Sequence, residues 1–192
     1  MKKELRILLT AFCFSTFAYS MLSPIYAIFV EKIGGGVLEA SYAIAIFTFS
    51  AGVLIYLVSR FEDKVKHQEY LLSLGYFLSA IAFFLYLFVS KPVHLYFIEM
   101  IFGLSIAVLS PVFDGLYSKN LDKGKFVSEW GDWESLGYII SSFSALSGGF
   151  LTSKFGFNTL FTIMFILSLV AFFISLTLIP SKKEIKLSRL KK

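Results

Sequence analysis

The 192-residue chain reads as an all-α, polytopic membrane protein of six transmembrane helices, and three features of the sequence carry that prediction. Its composition is 57% hydrophobic and 18% aromatic with a mean hydropathy of +0.76, beyond the range of an ordinary soluble domain. Crossing a bilayer core of about 30 Å takes roughly 20 mostly apolar helical residues, and that length recurs six times. Short polar or glycine-containing segments separate the six stretches, and no alternating ten-residue strands point to a β-barrel.

The spans are expected over residues 7–30, 38–58, 70–90, 93–118, 129–152 and 157–179. The first opens "MKKELRILLTAFCFSTFAYSM", whose basic start, apolar middle and small residues Ala18 and Ser20 also fit a signal peptide. Its apolar pattern continues through Pro24 to Val30, so it reads as a retained first span. The second ends at the charged loop "SRFEDKVKHQ". The third, "YLLSLGYFLSAIAFFLYLFVS", and the sixth, "FNTLFTIMFILSLVAFFISLTLI", carry no charge and are expected to face lipid. Residues 1–192 thus form a single six-helix transmembrane domain with a basic cytoplasmic tail at 181–192, and no soluble domain is left to carry chemistry.

Orientation follows from the 18 Lys and Arg residues. Lys2, Lys3 and Arg6 lie at the N-terminus; Arg60, Lys64 and Lys66 between the second and third spans; Lys119, Lys123 and Lys125 between the fourth and fifth. Lys182, Lys183, Lys186, Arg189, Lys191 and Lys192 fill the tail, and only Lys32, Lys91 and Lys154 fall on the opposite side. Basic residues near span ends are kept in the cytoplasm, so both termini are expected there, in a cell (inner or plasma) membrane. The pI of about 9.2 is therefore a consequence of topology rather than a sign of nucleic-acid binding. The single cysteine, Cys13, lies inside the first span and allows neither an intrachain disulfide nor a cysteine-based metal site.

With every Lys and Arg assigned to a loop or tail, Glu99 in "HLYFIEMIFGL" has no basic partner within a span. A charge near mid-membrane costs about 2.5 to 3.5 kcal/mol on insertion scales, so acids there usually face a cavity or bundle interior and serve ions, protons or substrates. Tyr96, Glu99, Gly103, Ile106, Ser110 and Asp114 recur at steps of three and four and share one helical face. The fifth span has a comparable stripe in Trp130, Glu134, Gly137, Ser141, Ser144 and Gly148, and the first has Cys13, Thr16, Ser20 and Ser23. Packing explains some of these residues equally well. Small residues let membrane helices approach, while Glu129 and Asp132 suit a helix N-terminus and Trp130 and Trp133 an interfacial belt. Asp114, near the cytoplasmic end of its span, fits a solvated or gate residue, and Glu134 lies one turn deeper than the belt.

Internal repetition adds a second line. The first span ends "SPIYAIF" (23–29) and the fourth "SPVFDGL" (110–116); the second ends "SRF" and the fifth "SKF". Paired spans running in opposite directions make a 3+3 inverted repeat, a building plan of secondary transporters.

The residues at this point resemble the major facilitator superfamily, of which the chain looks like one six-helix half. In "SRFEDKVKHQ", Asp63 and Lys64 fit the family's second-to-third loop, whereas Ser59 and Lys66 stand where it has Gly, and His67 and Gln68 where it has a basic pair. Glu99 and Gly103 occupy the places of the family's fourth-span Arg and Gly, with the charge inverted. "SALSGG" keeps Gly148 and Gly149 of the fifth-span pattern, "KFGFNTLF" is similar to the approach to the sixth span, and "DKGK" fits the fourth-to-fifth loop.

The resemblance implies two parallel six-helix halves with the path between them, completed here most simply by a parallel homodimer about an axis along the membrane normal. Spans one, two, four and five of each copy would surround the cavity, with three and six outside. Two Glu99 side chains would enter it, suited to a proton, a metal cation or a cationic organic substrate. The expected function is secondary active transport of a small solute by alternating access, proton-coupled or moving a cation. Substrate or proton candidates are Glu99, Ser110, Asp114, Glu134, Thr16, Ser20 and Ser141, with Asp63 and Lys64 as gate candidates by family position. The competing reading is a non-transporting scaffold, or a subunit that works only beside a different partner chain. No cofactor is expected, and an enzyme is disfavoured: neither His-Glu-x-x-His nor Gly-x-Ser-x-Gly is present, and His67 and His94 lie at span ends.

Overall fold

The computed structural model describes residues 2–179, so the basic tail expected at 181–192 lies outside the described residues. Helix α1 covers Lys3–Leu22, a 3₁₀ turn covers Ser23–Ile25, and α2 covers Tyr26–Lys32. Pro24 is the cause of that interruption: it has no N–H to donate and its ring crowds the preceding turn. The three elements together are the expected first span. Gly34, at φ +82°, ends α2, with its N–H on the Glu31 carbonyl and that of Gly35 on Val30; a helix that closes this way needs a residue without a Cβ. Helix α3 (Val37–Glu62) then starts with the Gly36 N–H donated to the Glu39 carboxylate at 2.7 Å, a side-chain answer to the free amides of a helix start.

Helix α4 covers Glu69–Tyr86, α5 Pro92–Asn120 and α6 Phe126–Leu176. Pro92 opens α5, where its missing N–H costs nothing, and Pro111 lies inside α5 without breaking it. Among the described residues, five helical segments are long and apolar enough to cross a membrane, and none is a strand. The expected fifth and sixth spans fall together in α6. At about 1.5 Å per residue its 51 residues would reach roughly 76 Å, more than twice a bilayer core. The backbone breaks at Gly156, at φ 79° and ψ 175°.

Side-chain pairing gives the course of the chain on each side of that break. Before it, Phe12 meets Trp133, Ser20 bonds Ser141 at 2.9 Å and Gly148 abuts Met21, so this part of α6 runs parallel to α1. After it, Phe161 meets Tyr86, Phe165 meets Phe84, Phe172 meets Phe77 and Ser175 bonds Ser73 at 2.8 Å, so the remainder runs antiparallel to α4. Helices α1 and α4 themselves run the same way, since Phe29 lies against Tyr86 while Leu5 and Leu8 share a cluster with Leu72 and Tyr76. The chain therefore reverses direction at Gly156.

Two apolar clusters fill the unit, one around Phe29, Phe83, Phe102, Phe161 and Met164, the other around Leu5, Leu72, Tyr76, Phe113 and Tyr117. Hydroxyls tie the helices between them: Ser79 and Ser105 are 2.5 Å apart, and Ser105 also donates to the Gly75 carbonyl at 2.9 Å. Burial adds to the expectation that the third and sixth spans face lipid: both keep exposed apolar side chains, Leu74, Phe77 and Phe84 on the third span and Ile166 and Phe173 on the sixth. The third span is not simply lipid-facing, because α4 is wedged between α5 and the last part of α6, and half of its apolar stretch is buried. In the sixth, Phe157, Leu160, Phe161, Met164, Ser168, Ala171 and Ser175 are buried along one face. The exposed helix is α3, with only 11% of its apolar stretch buried. Lack of charge marked the third and sixth spans as apolar, but apolar side chains pack on protein and on lipid alike.

Candidate functional site

Glu99 lies on α5 three residues before Phe102 and is 5% exposed. Its Oε1 accepts two hydrogen bonds, from the Tyr26 hydroxyl at 2.7 Å and from the Tyr86 hydroxyl at 2.6 Å. Oε2 has no protein donor among the described residues. Local backbone geometry aims Tyr26 here: three residues of 3₁₀ turn, at about 120° per residue instead of about 100°, rotate the start of α2 by roughly 60°. Tyr86 closes α4 and is buried against Phe29 and Phe161.

The carboxyl faces a chamber of about 220 Å³ whose lining includes Tyr19, Tyr26, Phe47, Phe83, Tyr86, Phe102 and Met164. No Lys, Arg or His is among the lining residues. The chamber opens to one side past Tyr19, Ile44 and Thr48, all exposed, between α1 and α3. A second chamber of about 310 Å³ lies further along α1 and α5, lined by Ser15, Thr16, Tyr76, Ile106, Ser110, Phe113, Asp114 and Trp133, among others. The two share Tyr19, Phe47, Phe83 and Phe102 as a common wall. Phe102 is the centre of that wall: its ring stacks on Tyr19 at 5.5 Å and tilts against Phe47 at 5.4 Å and Phe83 at 5.3 Å.

The sequence-derived candidates divide accordingly. Glu99 sits in the first chamber, and Thr16, Ser110 and Asp114 line the second. Ser20 and Ser141 bond each other across α1 and α6. One turn on, the Ser144 hydroxyl donates to the Phe17 carbonyl, and Gly148 touches the Met21 backbone. The fifth-span stripe is therefore mainly a helix contact. Glu134 is exposed and lines neither chamber, as are Asp63 and Lys64 at the end of α3. Tyr96 borders a separate surface hollow with Tyr42 and Phe49. Glu129 is structural, because its Oε2 accepts the Asp122 N–H at 2.8 Å and its carbonyl accepts the Tyr117 hydroxyl, fixing the turn between α5 and α6.

Sequence reasoning missed Tyr26, Tyr86 and Phe102. A hydroxyl inside an apolar span was the available signal, because buried tyrosines seek a partner for their O–H. Such an arrangement, one carboxyl positioned by two phenols in an aromatic chamber, can exchange a proton or receive a cation at its free oxygen.

Comparison with known proteins agrees with the resemblance. The profile of the Major Facilitator Superfamily matches residues 8–191. A protein of Bacillus subtilis (strain 168) described as the uncharacterized MFS-type transporter YitZ is 22% identical over 145 residues, which span 76% of this chain and 88% of that protein.

Proposed function

The chain belongs to the Major Facilitator Superfamily, and from that membership we propose a half-size secondary active transporter that moves a small solute by alternating access between two copies. It is a multi-pass membrane transporter rather than an enzyme. The six-span, 3+3 reading is supported by the reversal at Gly156, which divides α6 into two segments of spanning length.

The observation that carries the reading is Glu99, a buried carboxyl held by two helices other than its own and turned to a chamber that opens sideways. That opening is what a second half would cover. The helices least buried in the single unit, α3 and the first part of α6, present Tyr42, Phe49, Tyr56, Tyr138, Phe143 and Phe150 outward, a surface fitted to the other copy. In this reading Glu99 is the proton or cation site, Asp114 with Ser110 and Thr16 lines the route on the cytoplasmic side, and Asp63 and Lys64 act at the cytoplasmic rim. Both termini are cytoplasmic in an inner or plasma membrane.

Two measurements test this. Native mass spectrometry from lipid nanodiscs should give two chains per particle; a monomer, or a second kind of chain, would remove the homodimer. In reconstituted vesicles Glu99→Gln should abolish gradient-driven uptake while the dimer mass is kept. Unchanged uptake would take Glu99 out of the mechanism.

A further inference from the structure

The chamber beside Glu99 is mainly apolar and has one free carboxylate oxygen. Its lining includes six rings, those of Tyr19, Tyr26, Phe47, Phe83, Tyr86 and Phe102. We propose that it is a binding site for a small organic ammonium ion, held by charge at Glu99 and by cation–π contact with the rings. This rests on the transporter reading above and names the substrate class for the same site.

The donor set argues against an inorganic cation. Calcium takes six to eight oxygen ligands, and magnesium an octahedral shell rich in water. Here Glu99 is the one carboxylate lining the chamber, and the other side-chain oxygens among the lining residues are the neutral hydroxyls of Tyr19, Ser23, Tyr26, Thr48 and Tyr86. Among the described residues no three His, Cys, Asp or Glu side chains come together to hold a metal. A hydrated ion would have to exchange its water for ring faces and a single oxygen.

An alkylammonium ion meets the opposite conditions. Its charge is spread over methyl or methylene groups that lose little on leaving water, and ring faces attract it within about 6 Å of their centroids. The rings pack on one another, Phe102 lying 5.3–5.5 Å from three neighbours, so the wall is aromatic whichever of them a guest meets. Tyr26 and Tyr86 orient the carboxyl by occupying Oε1, which leaves Oε2 for the guest. The size also fits: an apolar cavity of about 150 Å³ accommodates benzene, so about 220 Å³ suits a cation of choline size or slightly larger. With no basic side chain lining the chamber, the guest meets no competitor for the carboxylate.

The test is equilibrium binding of labelled choline to the full-length protein in nanodiscs, with dimethylbutanol, its uncharged carbon isostere, as competitor. Choline should bind saturably at one site per chain, and dimethylbutanol should compete at least about tenfold more weakly. Glu99→Gln and Phe102→Leu should each weaken binding about tenfold, the latter by loss of a ring face. Equal affinity for the uncharged isostere, displacement by magnesium or potassium at lower concentration than choline, or no saturable choline binding would each overturn the assignment, and the competitor arm needs no variant to fold. Choline binding without uptake into vesicles would remove transport and leave the site. Uptake of another solute by a protein that binds no ammonium ion would do the reverse.

Discussion

Replacing Gly148 and Gly149 one at a time by alanine should give opposite results, although the two are neighbours in one helix. A Cβ on Gly148 would meet the Met21 carbonyl oxygen and lie 2.8 Å from the Met21 carbonyl carbon and 2.9 Å from its Cα, all backbone atoms of α1. Nothing lies within 4 Å of a Cβ on Gly149. The Gly148 variant therefore has to part the helices, and overpacking of that kind costs about 1–3 kcal/mol. Parting them also lengthens the Ser20–Ser141 and Ser144–Phe17 bonds nearby, each worth about 0.6 kcal/mol in a membrane bundle. Alanine's helix preference returns about 0.5–1 kcal/mol in both variants. Gly148→Ala should lose about 1–3 kcal/mol net, and Gly149→Ala should be neutral or gain up to about 1 kcal/mol. Reversible unfolding in mixed micelles titrated with dodecyl sulfate, followed by the fluorescence of Trp130 and Trp133, reads the difference. Equal stability of the two variants would refute the close approach of α1 and α6.

Other substitutions probe the reversal and the site. Gly156 occupies a backbone region that is essentially glycine-only, where strain is of order 1–3 kcal/mol, so Gly156→Ala should lower the melting temperature more than Ala at the unhindered Gly52 or Gly149, measured by thermal unfolding in detergent. Tyr86→Phe removes a donor to Glu99 from a buried position and Tyr26→Phe one from a half-buried position. A hydrogen bond to a charged group contributes about 1.5–3 kcal/mol, and Tyr86→Phe should lie at the upper end because water reaches the Tyr26 position more easily. Equal losses in the same micelle titration would count against that difference in burial.

Much of this molecule was legible because membranes impose blunt rules. Six apolar stretches, a one-sided distribution of Lys and Arg, and a glutamate without a basic partner needed only lengths and charges. The partners of that glutamate did not show, because charge and small residues are what a polar stripe is judged by. Tyr86 ends a span with no charge at all, and a neutral phenol leaves no trace in such a count. Spacing could place Ser20 and Ser141 on polar stripes but could not say that each answers the other rather than a cavity. Nor could hydropathy rank burial: α3 and α4 are both apolar enough to cross a membrane, yet α3 is far less buried. In lipid the apolar contrast between inside and outside is missing, so apolarity alone does not order burial. The reversal at Gly156 falls in the short segment between the expected fifth and sixth spans, 129–152 and 157–179, so that boundary was legible as well.

Helix α3 is fastened along one edge. It lies against α5, where the backbone of Phe47 and Ala51 would come within 3.0 Å of a Cβ on Gly103, and otherwise makes more than marginal contact only with short α2. One of its ends hangs on the glycines at 34–36 and the other on the polar segment 63–68. Phe47, Ile44 and Thr48 nonetheless form the side of the Glu99 chamber next to its opening. In the single unit this wall is held by α5 along the Gly103 contact, with the chamber behind it. A wall with few attachments opens at low energy, so amide hydrogen exchange should run faster over 37–62 than over the well-buried 69–86. Access to the carboxyl would then be set by how firmly one helix is shut.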